Sequence, residues 1–533
     1  TIRNQLEFAR GFSGGDHYVN AYLGQEVSSS KGYGFTSMIP EWSDVYGVAS
    51  YPDLTGVTLK SSFTDLLAKL GSHSETQDRS ASFFMTGSYS YKDRYVIQGS
   101  ARLDGVDIIG TDNRFSPLWN VSGKWNVHNE SFMTRFGFIN QLAFRVSYGF
   151  VGSIDRNALP FSVLRKVSNY SYNGEKIMDR YDPYNPSIKW QRQENRNIGF
   201  DASLLNNRIN LVVNYYDNDT RNLLDDKKIA ASTGRLSVAA NVASVNNRGW
   251  EISLRTLNVR TTDFSWVTSV NFTKNKDKVT ETYYQDLSEV SASTNSTFES
   301  IYNLYIQGRP VKAFYGYKYA GVDPYTGNSL AYVDGFDDDG NRLGTLTPEG
   351  KYVYNMDNDL TTQLANSSRG YLGRSDPPIT GGFTTQFNYK RFSLFAQFTY
   401  MTGHLARSFQ YYVSGGTTSA SARNLLKIEA NRWRKPGDMT DVPKYGTSRT
   451  EYLYQLFDFR FEKGDYLKCN NISLGYNLDP ALCAKLYITR ARLNLNMANV
   501  FTLTKFRGID PETKGAFTYP SARTYSFTLS IGI

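Results

Sequence analysis

The segment IGFDASLLNNRINLVVNY, residues Ile198–Tyr215, contains two strands and the turn that joins them. In its second half Ile209, Leu211, Val213 and Tyr215 alternate with Asn210, Val212 and Asn214. Successive side chains of a strand point to opposite faces, so this spacing makes one face apolar and the other mostly polar. Between the halves, Asn206-Asn207-Arg208 has the composition of a tight turn. The end of the sequence repeats the pattern: Tyr525, Phe527, Leu529, Ile531 and Ile533 alternate with Thr524, Ser526, Thr528, Ser530 and Gly532. In Ala491–Met497 the polar face consists of Arg492, Asn494 and Asn496, which is costly against lipid and comfortable in a watery lumen.

Other strands pair in the same way. Phe83–Tyr91 and Tyr95–Leu103 flank Lys92-Asp93-Arg94, Gly381–Tyr389 and Phe392–Tyr400 flank Lys390-Arg391, and Trp250–Leu257 precedes Phe264–Phe272. At the opposite ends lie long stretches rich in Gly, Ser, Asn, Asp and Tyr, near residues 30–80, 153–190, 218–247, 275–310, 320–375 and 403–463. Short turns at one end and long loops at the other are the rule in outer-membrane barrels, and compact soluble domains rarely tolerate so many long loops. The reading is all-β: a transmembrane antiparallel β-barrel with long extracellular loops and short periplasmic turns, roughly 15 or 16 strands lying in this sequence.

Composition agrees. Mean hydropathy is −0.47 and no run of 18 apolar residues exists, which excludes a helical membrane protein. A barrel strand needs only about ten residues with alternate ones apolar, so a membrane is not excluded. Aromatic residues make up 15% of the chain, with 39 Tyr and 32 Phe, and Tyr suits sites where one end of a ring is apolar and the other wet. Cys469 and Cys483 support neither a disulfide framework nor a thiolate metal site, leaving two tolerated thiols or a single bond. The net charge is +9, but Lys and Arg are scattered without runs, so no nucleic-acid partner is expected.

No catalytic signature is present: there is no G-x-S-x-G, H-E-x-x-H or Walker loop, and His17, His73, His128 and His404 stand singly. The protein is expected not to be an enzyme and to need no cofactor. A weak calcium candidate is Asp337, Asp339 and Asn341, hard oxygen ligands at alternate positions. Arg342 stands where the turn glycine belongs and the bidentate Glu is missing, so a solvated turn is the preferred reading. Substrate contact falls to loop aromatics, since sugars stack on rings and are oriented by polar neighbours. The candidates are Tyr170, Tyr172, Tyr283, Tyr284, Tyr302, Tyr305, Tyr411 and Tyr412, each of them also compatible with loop packing.

Specific strings then carry a resemblance. Tyr89-Ser90-Tyr91-Lys92-Asp93-Arg94-Tyr95, Arg145-Val146-Ser147-Tyr148-Gly149 and Asn195-Arg196-Asn197-Ile198-Gly199-Phe200-Asp201 come first. Gly308-Arg309-Pro310-Val311, Gly321-Val322-Asp323-Pro324, Asp376-Pro377-Pro378 and Gly464-Asp465-Tyr466-Leu467-Lys468 follow, and Asn499-Val500-Phe501-Thr502 and Asp510-Pro511-Glu512 come last. Their succession resembles the SusC/RagA family of TonB-dependent outer-membrane transporters over nearly the whole chain. The resemblance implies that residues 1–533 are the C-terminal part of a barrel of about 22 strands. The plug domain, TonB box and signal peptide would lie outside this sequence, which begins at Thr1. It also implies active import of oligosaccharides, with peptides as the alternative substrate, energised by the TonB complex and capped by a SusD-like surface lipoprotein. Rival readings are a passive porin, a surface adhesin and a secreted glycan-binding protein.

Overall fold

In the computed structural model the described residues are 1–37, 42–43, 48–49, 71–109, 113–156, 160–172, 175–182, 184–233, 237–283, 306–333, 345–348, 350–355, 370–408, 427–444, 457–512 and 519–533. The chain forms two compact units, one of residues 1–89, 98–120 and 154–190, the other of residues 90–97, 121–153 and 191–533. Among the described residues no helix is long and apolar enough to cross a membrane.

In the first unit β1 (Ile2–Phe12) pairs antiparallel with β2 (His17–Ser37), from Ile2 opposite Val27 to Phe12 opposite His17. The chain reverses at Ser13–Gly15, where Gly14 and Gly15 have φ of 69° and 98°, a left-handed backbone that glycine adopts without a Cβ clash. His17 Nδ1 lies 2.7 Å from the Tyr89 hydroxyl, at the far end of β3 (Gly71–Tyr91). Next in the chain are β4 (Tyr95–Val106) and β5 (Phe115–Asn126), each divided between the two units, and the first unit also holds a separate hairpin of Val163–Tyr172 with Glu175–Asp182.

The second unit holds an unbroken meander: β6 (Ile139–Ser153), β7 (Gln191–Leu204), β8 (Ile209–Lys228), β9 (Ser237–Arg260), β10 (Phe264–Glu281), β11 (Ile379–Tyr389), β12 (Phe392–Thr402), β13 (Tyr466–Asn477), β14 (Arg490–Thr504) and β15 (Thr524–Gly532). Each pairs antiparallel with the next. Register then sorts the side chains. One face stacks Phe144, Phe200, Val213, Ile252 and Phe272 on consecutive strands, and a neighbouring rung stacks Leu211, Leu254, Val270, Phe383 and Phe398. Further along, Leu394, Leu474, Leu495 and Phe527 form another. None of these residues is charged, and several are exposed: Phe144 is 47% and Phe527 69% accessible. A soluble sheet would cover such a face; a lipid-facing one would not.

Aromatic rows bound the apolar face. At the short-turn end Trp266 stacks on Phe387 with centroids 5.5 Å apart and Phe392 meets Tyr476 at 4.7 Å; at the other end Tyr215 meets Trp250 at 4.9 Å. From Phe392 to Tyr400 a strand rises about 27 Å, or about 21 Å of height at a tilt of about 40°, close to the apolar band of outer-membrane barrels.

The opposite face is polar and cross-linked. Arg145 Nη2 donates to Asp201 Oδ1 at 2.8 Å and to Asn214 Oδ1 at 3.0 Å, passing over Gly199 on the strand between. Arg492 Nη2 reaches Ser393 Oγ at 3.1 Å over Gly475 in the same way. Ser203 Oγ donates to Asn210 Oδ1 at 2.8 Å, and the Tyr216 hydroxyl donates to Asn275 Oδ1 at 2.9 Å across Gly249. A Cβ at Gly249 would overlap the Lys274 carbonyl oxygen and the Tyr216 hydroxyl. Gly249→Ala is therefore expected to displace Tyr216 and cost about 1–3 kcal/mol. A urea titration of the folded protein checks it, an unchanged midpoint contradicting it.

The expected turns hold: Lys92 and Asp93 have φ of 51° and 50°, Asn206 and Asn207 59° and 61°, and Lys390 51°. The expected loops hold more strand than read. In place of an irregular 218–247, β8 runs to Lys228 and β9 starts at Ser237, which pairs with it. Polar residues such as Asp217, Asn218 and Asp219 carry no alternation signal, yet their backbones continue the ladder. Within 320–375, Ser329–Val333 pairs with Lys318–Val322 and Tyr352–Asn355, and Gly370–Arg374 pairs with Ala313–Gly316. Cys469, on β13, and Cys483, in the short helix Pro480–Lys485, are buried and free, so no bond joins them.

Candidate functional site

The long-loop end of the second unit is a structured canopy built on period-2 aromatics. Phe314, Tyr317 and Tyr319 on one segment face Phe457, Phe459 and Phe461 on another, while Tyr315 packs on Tyr371. Phe314 meets Phe461 at 4.7 Å, and Tyr319 meets Phe457 at 4.7 Å and Phe459 at 4.8 Å. Tyr317 and Phe457 are fully buried. Burial of this kind fixes a loop that would otherwise be costly to order.

The canopy is tied to the polar face of the sheet through Asp277 of β10. Its carboxylate accepts from the Val311 N–H at 2.8 Å and pairs with the Arg374 guanidinium. Nearby, Val279 is fully buried.

Beside Tyr319 and Phe459 opens a cleft of about 710 Å³ whose other walls include Asn431, Met439, Thr440 and Asp441. The Tyr319 hydroxyl donates to the Asp441 carbonyl at 2.7 Å, and its backbone N–H donates to Asp458 Oδ1 at 3.1 Å, so the ring is held from both ends. Across the wall Trp433 is fixed by its indole N–H, which donates to the Pro324 carbonyl at 2.9 Å. Trp433 packs over Gly327, whose φ of 73° and lack of a Cβ allow the approach. Rings with amide, hydroxyl and carboxylate groups around them can stack an apolar ligand face and orient its polar substituents.

One cleft wall turns on Asp438, whose Oδ2 accepts from the N–H groups of Arg434 at 2.9 Å and Lys435 at 3.1 Å. These bonds hold its carboxyl below the usual aspartate range. A depressed carboxyl contributes stability fully present above its unfolded value of about 4, and lost as the pH falls through the lower folded value. Amide exchange of residues 434–440, corrected for intrinsic rates, is thus expected to show the same protection at pH 8 and pH 5; a loss of protection by pH 5 contradicts this.

Of the expected contact residues, Tyr283 is exposed, with Lys227 Nζ 5.8 Å from its ring centroid. Tyr170 and Tyr172 lie in the strand Val163–Tyr172, their side chains outside the described set, and Tyr284, Tyr302, Tyr305, Tyr411 and Tyr412 also lie outside the described residues. So do Asp337, Asp339 and Asn341. Among the described residues no group of three or more His, Cys, Asp and Glu is placed to hold a metal ion. Sequence reasoning missed Tyr319, Phe459 and the cleft; the signal was the aromatic alternation of Phe457, Phe459 and Phe461 outside any barrel strand.

A family profile described as TonB dependent receptor-like, beta-barrel matches residues 2–337. TonB-dependent receptor P39 of Formosa agariphila is 28% identical over 460 residues, 81% of this chain and 43% of that protein. TonB-dependent receptor SusC of Bacteroides thetaiotaomicron is 25% identical over 478 residues, 86% of this chain and 44% of that protein. The chain thus spans less than half the length of these curated relatives. Among solved structures, the RagAB peptide transporter superposes with a TM-score of 0.75 at 26% identity, covering 99% of this chain and 55% of that one.

Proposed function

Because the chain belongs to the TonB dependent receptor-like, beta-barrel family, outer-membrane receptors and transporters rather than enzymes, we propose that it is the barrel portion of a SusC/RagA-type importer of oligosaccharides. Substrate is captured at the long-loop end, beneath a SusD-like surface lipoprotein, and released inward when TonB displaces a plug. The observation that carries this reading is the cleft in which Tyr319 and Phe459 flank Asn431, Thr440 and Asp441. Aromatic rings take the apolar face of a sugar ring, while the amide, hydroxyl and carboxylate groups bind its hydroxyls. The polar sheet face, with Arg145, Asp201, Asn214 and Asn275, gives a hydrated wall for the path inward.

A peptide substrate is the second reading, favoured by the likeness to the RagAB peptide transporter and by Met439, 87% exposed at the cleft. Met is an adaptable surface for varied apolar side chains. Purification of the full-length protein from outer membranes in mild detergent, followed by mass spectrometry and calorimetric titration with oligosaccharides and with peptides, tests the proposal. A co-purifying surface lipoprotein and heat on oligosaccharide addition support it. Heat on peptide addition alone transfers the site to peptides, and a lone chain that binds neither contradicts the importer.

A further inference from the structure

Just beyond the aromatic edge of the apolar face, that face becomes basic. Trp250 of β9 stands opposite Lys274 of β10, the next rung on the same face places Arg248 opposite Lys276, and the one after places Asn246 opposite Lys278. Parity fixes the face: Lys274, Lys276 and Lys278 are exposed, whereas Asn275, Asp277 and Val279 between them turn to the opposite, polar side. Arg248 is exposed as well.

Like charges directly opposite on neighbouring strands repel, and Asp217, which stands opposite Arg248 on its β8 side, offsets the Arg248–Lys276 repulsion only in part because it is shared with Arg196 and Asn246. The acids on this face are already engaged. Arg196 Nη2 bonds Glu194 at 2.6 Å and its other terminal nitrogen lies 3.3 Å from Asp219 and 3.8 Å from Asp217. Asn246 donates to Asp217 at 2.7 Å and to Asp219 at 2.8 Å. Asp277 faces the other side, held by Arg374 and Val311. Among the described residues no carboxylate lies within ion-pair distance of Arg248, Lys274 or Lys276.

These cations continue an apolar wall. Directly below them are Trp250, 48% exposed, Ile252 and Phe272, which meet acyl chains in an outer membrane. A ligand that fits both parts has an apolar tail of membrane depth and a multiply charged anionic head at the interface. We propose that Arg248, Lys274 and Lys276 form a binding surface for the phosphorylated head group of an outer-leaflet lipid, with its acyl chains along Trp250, Ile252 and Phe272. Arg supplies paired donors to a phosphate and the two Lys act as point charges. The bound lipid would order the barrel wall beneath the canopy, because β10 carries these cations on one side and the Asp277 anchor on the other.

Native mass spectrometry of the full-length protein, titrated in detergent with bis-phosphorylated lipid A and with its dephosphorylated form, tests the inference. The phosphorylated lipid is expected to bind about 100-fold more weakly to the R248Q/K274Q/K276Q variant, as three interfacial cations are lost, and binding to the unaltered protein is expected to weaken with salt. Lys390→Gln at the short-turn end is expected to leave it unchanged. Heat-modified gel mobility confirms that the variants are folded, and the dephosphorylated lipid and the salt series need no variant. Equal binding of the dephosphorylated form, or of the triple variant, overturns the proposal. Displacement by millimolar inorganic phosphate also overturns it, since the site would then be one for a free anion.

Discussion

Leu254→Arg is expected to destabilise the folded barrel by about 2–4 kcal/mol, the cost of a cation on the lipid face near the middle of the bilayer. Ser253→Arg, one position earlier, is expected to cost under about 1 kcal/mol. The two positions are adjacent in the chain and lie on opposite faces. Leu254 lies on the rung of Leu211, Val270 and Phe383, whereas Ser253 stands opposite Asn271 and shares its face with Asp201. On the polar side a guanidinium finds water and neighbours of the kind that already satisfy Arg145; among hydrocarbon it finds neither. Unfolding of the full-length protein by urea in lipid vesicles, followed by tryptophan fluorescence, reads both variants. Equal costs would mean that the faces are misassigned.

Asp277→Ala is expected to release the canopy from the barrel. Asp277 and Arg374 are each under one-fifth exposed, and the carboxylate also holds the Val311 N–H. Removing the carboxylate leaves a half-buried cation without its counter-charge, only its Nε still bonded to the Asp376 carbonyl, and an amide without its acceptor, at a cost of about 3 kcal/mol. That corresponds to roughly 100-fold more frequent opening of the segment, visible as faster amide exchange around residues 306–316 with β6–β9 unchanged. Lys312, 3.5 Å from Asp376, offers only a surface pair that cannot replace the anchor. Exchange identical to the unaltered protein would show that the Tyr317–Phe457 core alone holds the canopy.

Much of this fold was legible in the sequence wherever lipid on one side and water on the other forced alternation. Ile209, Leu211, Val213 and Tyr215 announce β8, and the same contrast announces β15. The reading fails where water lies on both sides, since Asp217–Lys228 has no face to declare and only ladder pairing with β9 makes it a strand. Glycines such as Gly199 and Gly475 look like interruptions until register shows an arginine crossing each one.

The candidate cleft was harder to read for a related reason. Tyrosine abundance identified a wet, aromatic-rich loop region but could not rank its members, because stacking on a sugar and packing in a loop use the same residue. Tyr319 became a candidate only when pairing brought residues 457–461 to it across more than a hundred positions of sequence. The basic patch was equally hidden. Arg248 and Lys276 are ordinary scattered cations until the β9–β10 register sets them opposite each other.

Energised import would show most directly as accumulation of a labelled oligosaccharide by cells that carry the full-length protein, compared with and without TonB. An importer of this kind accumulates the sugar against a gradient, and only when both the protein and TonB are present. Uptake that requires the protein but persists undiminished without TonB would contradict energised import and make the barrel a passive pore.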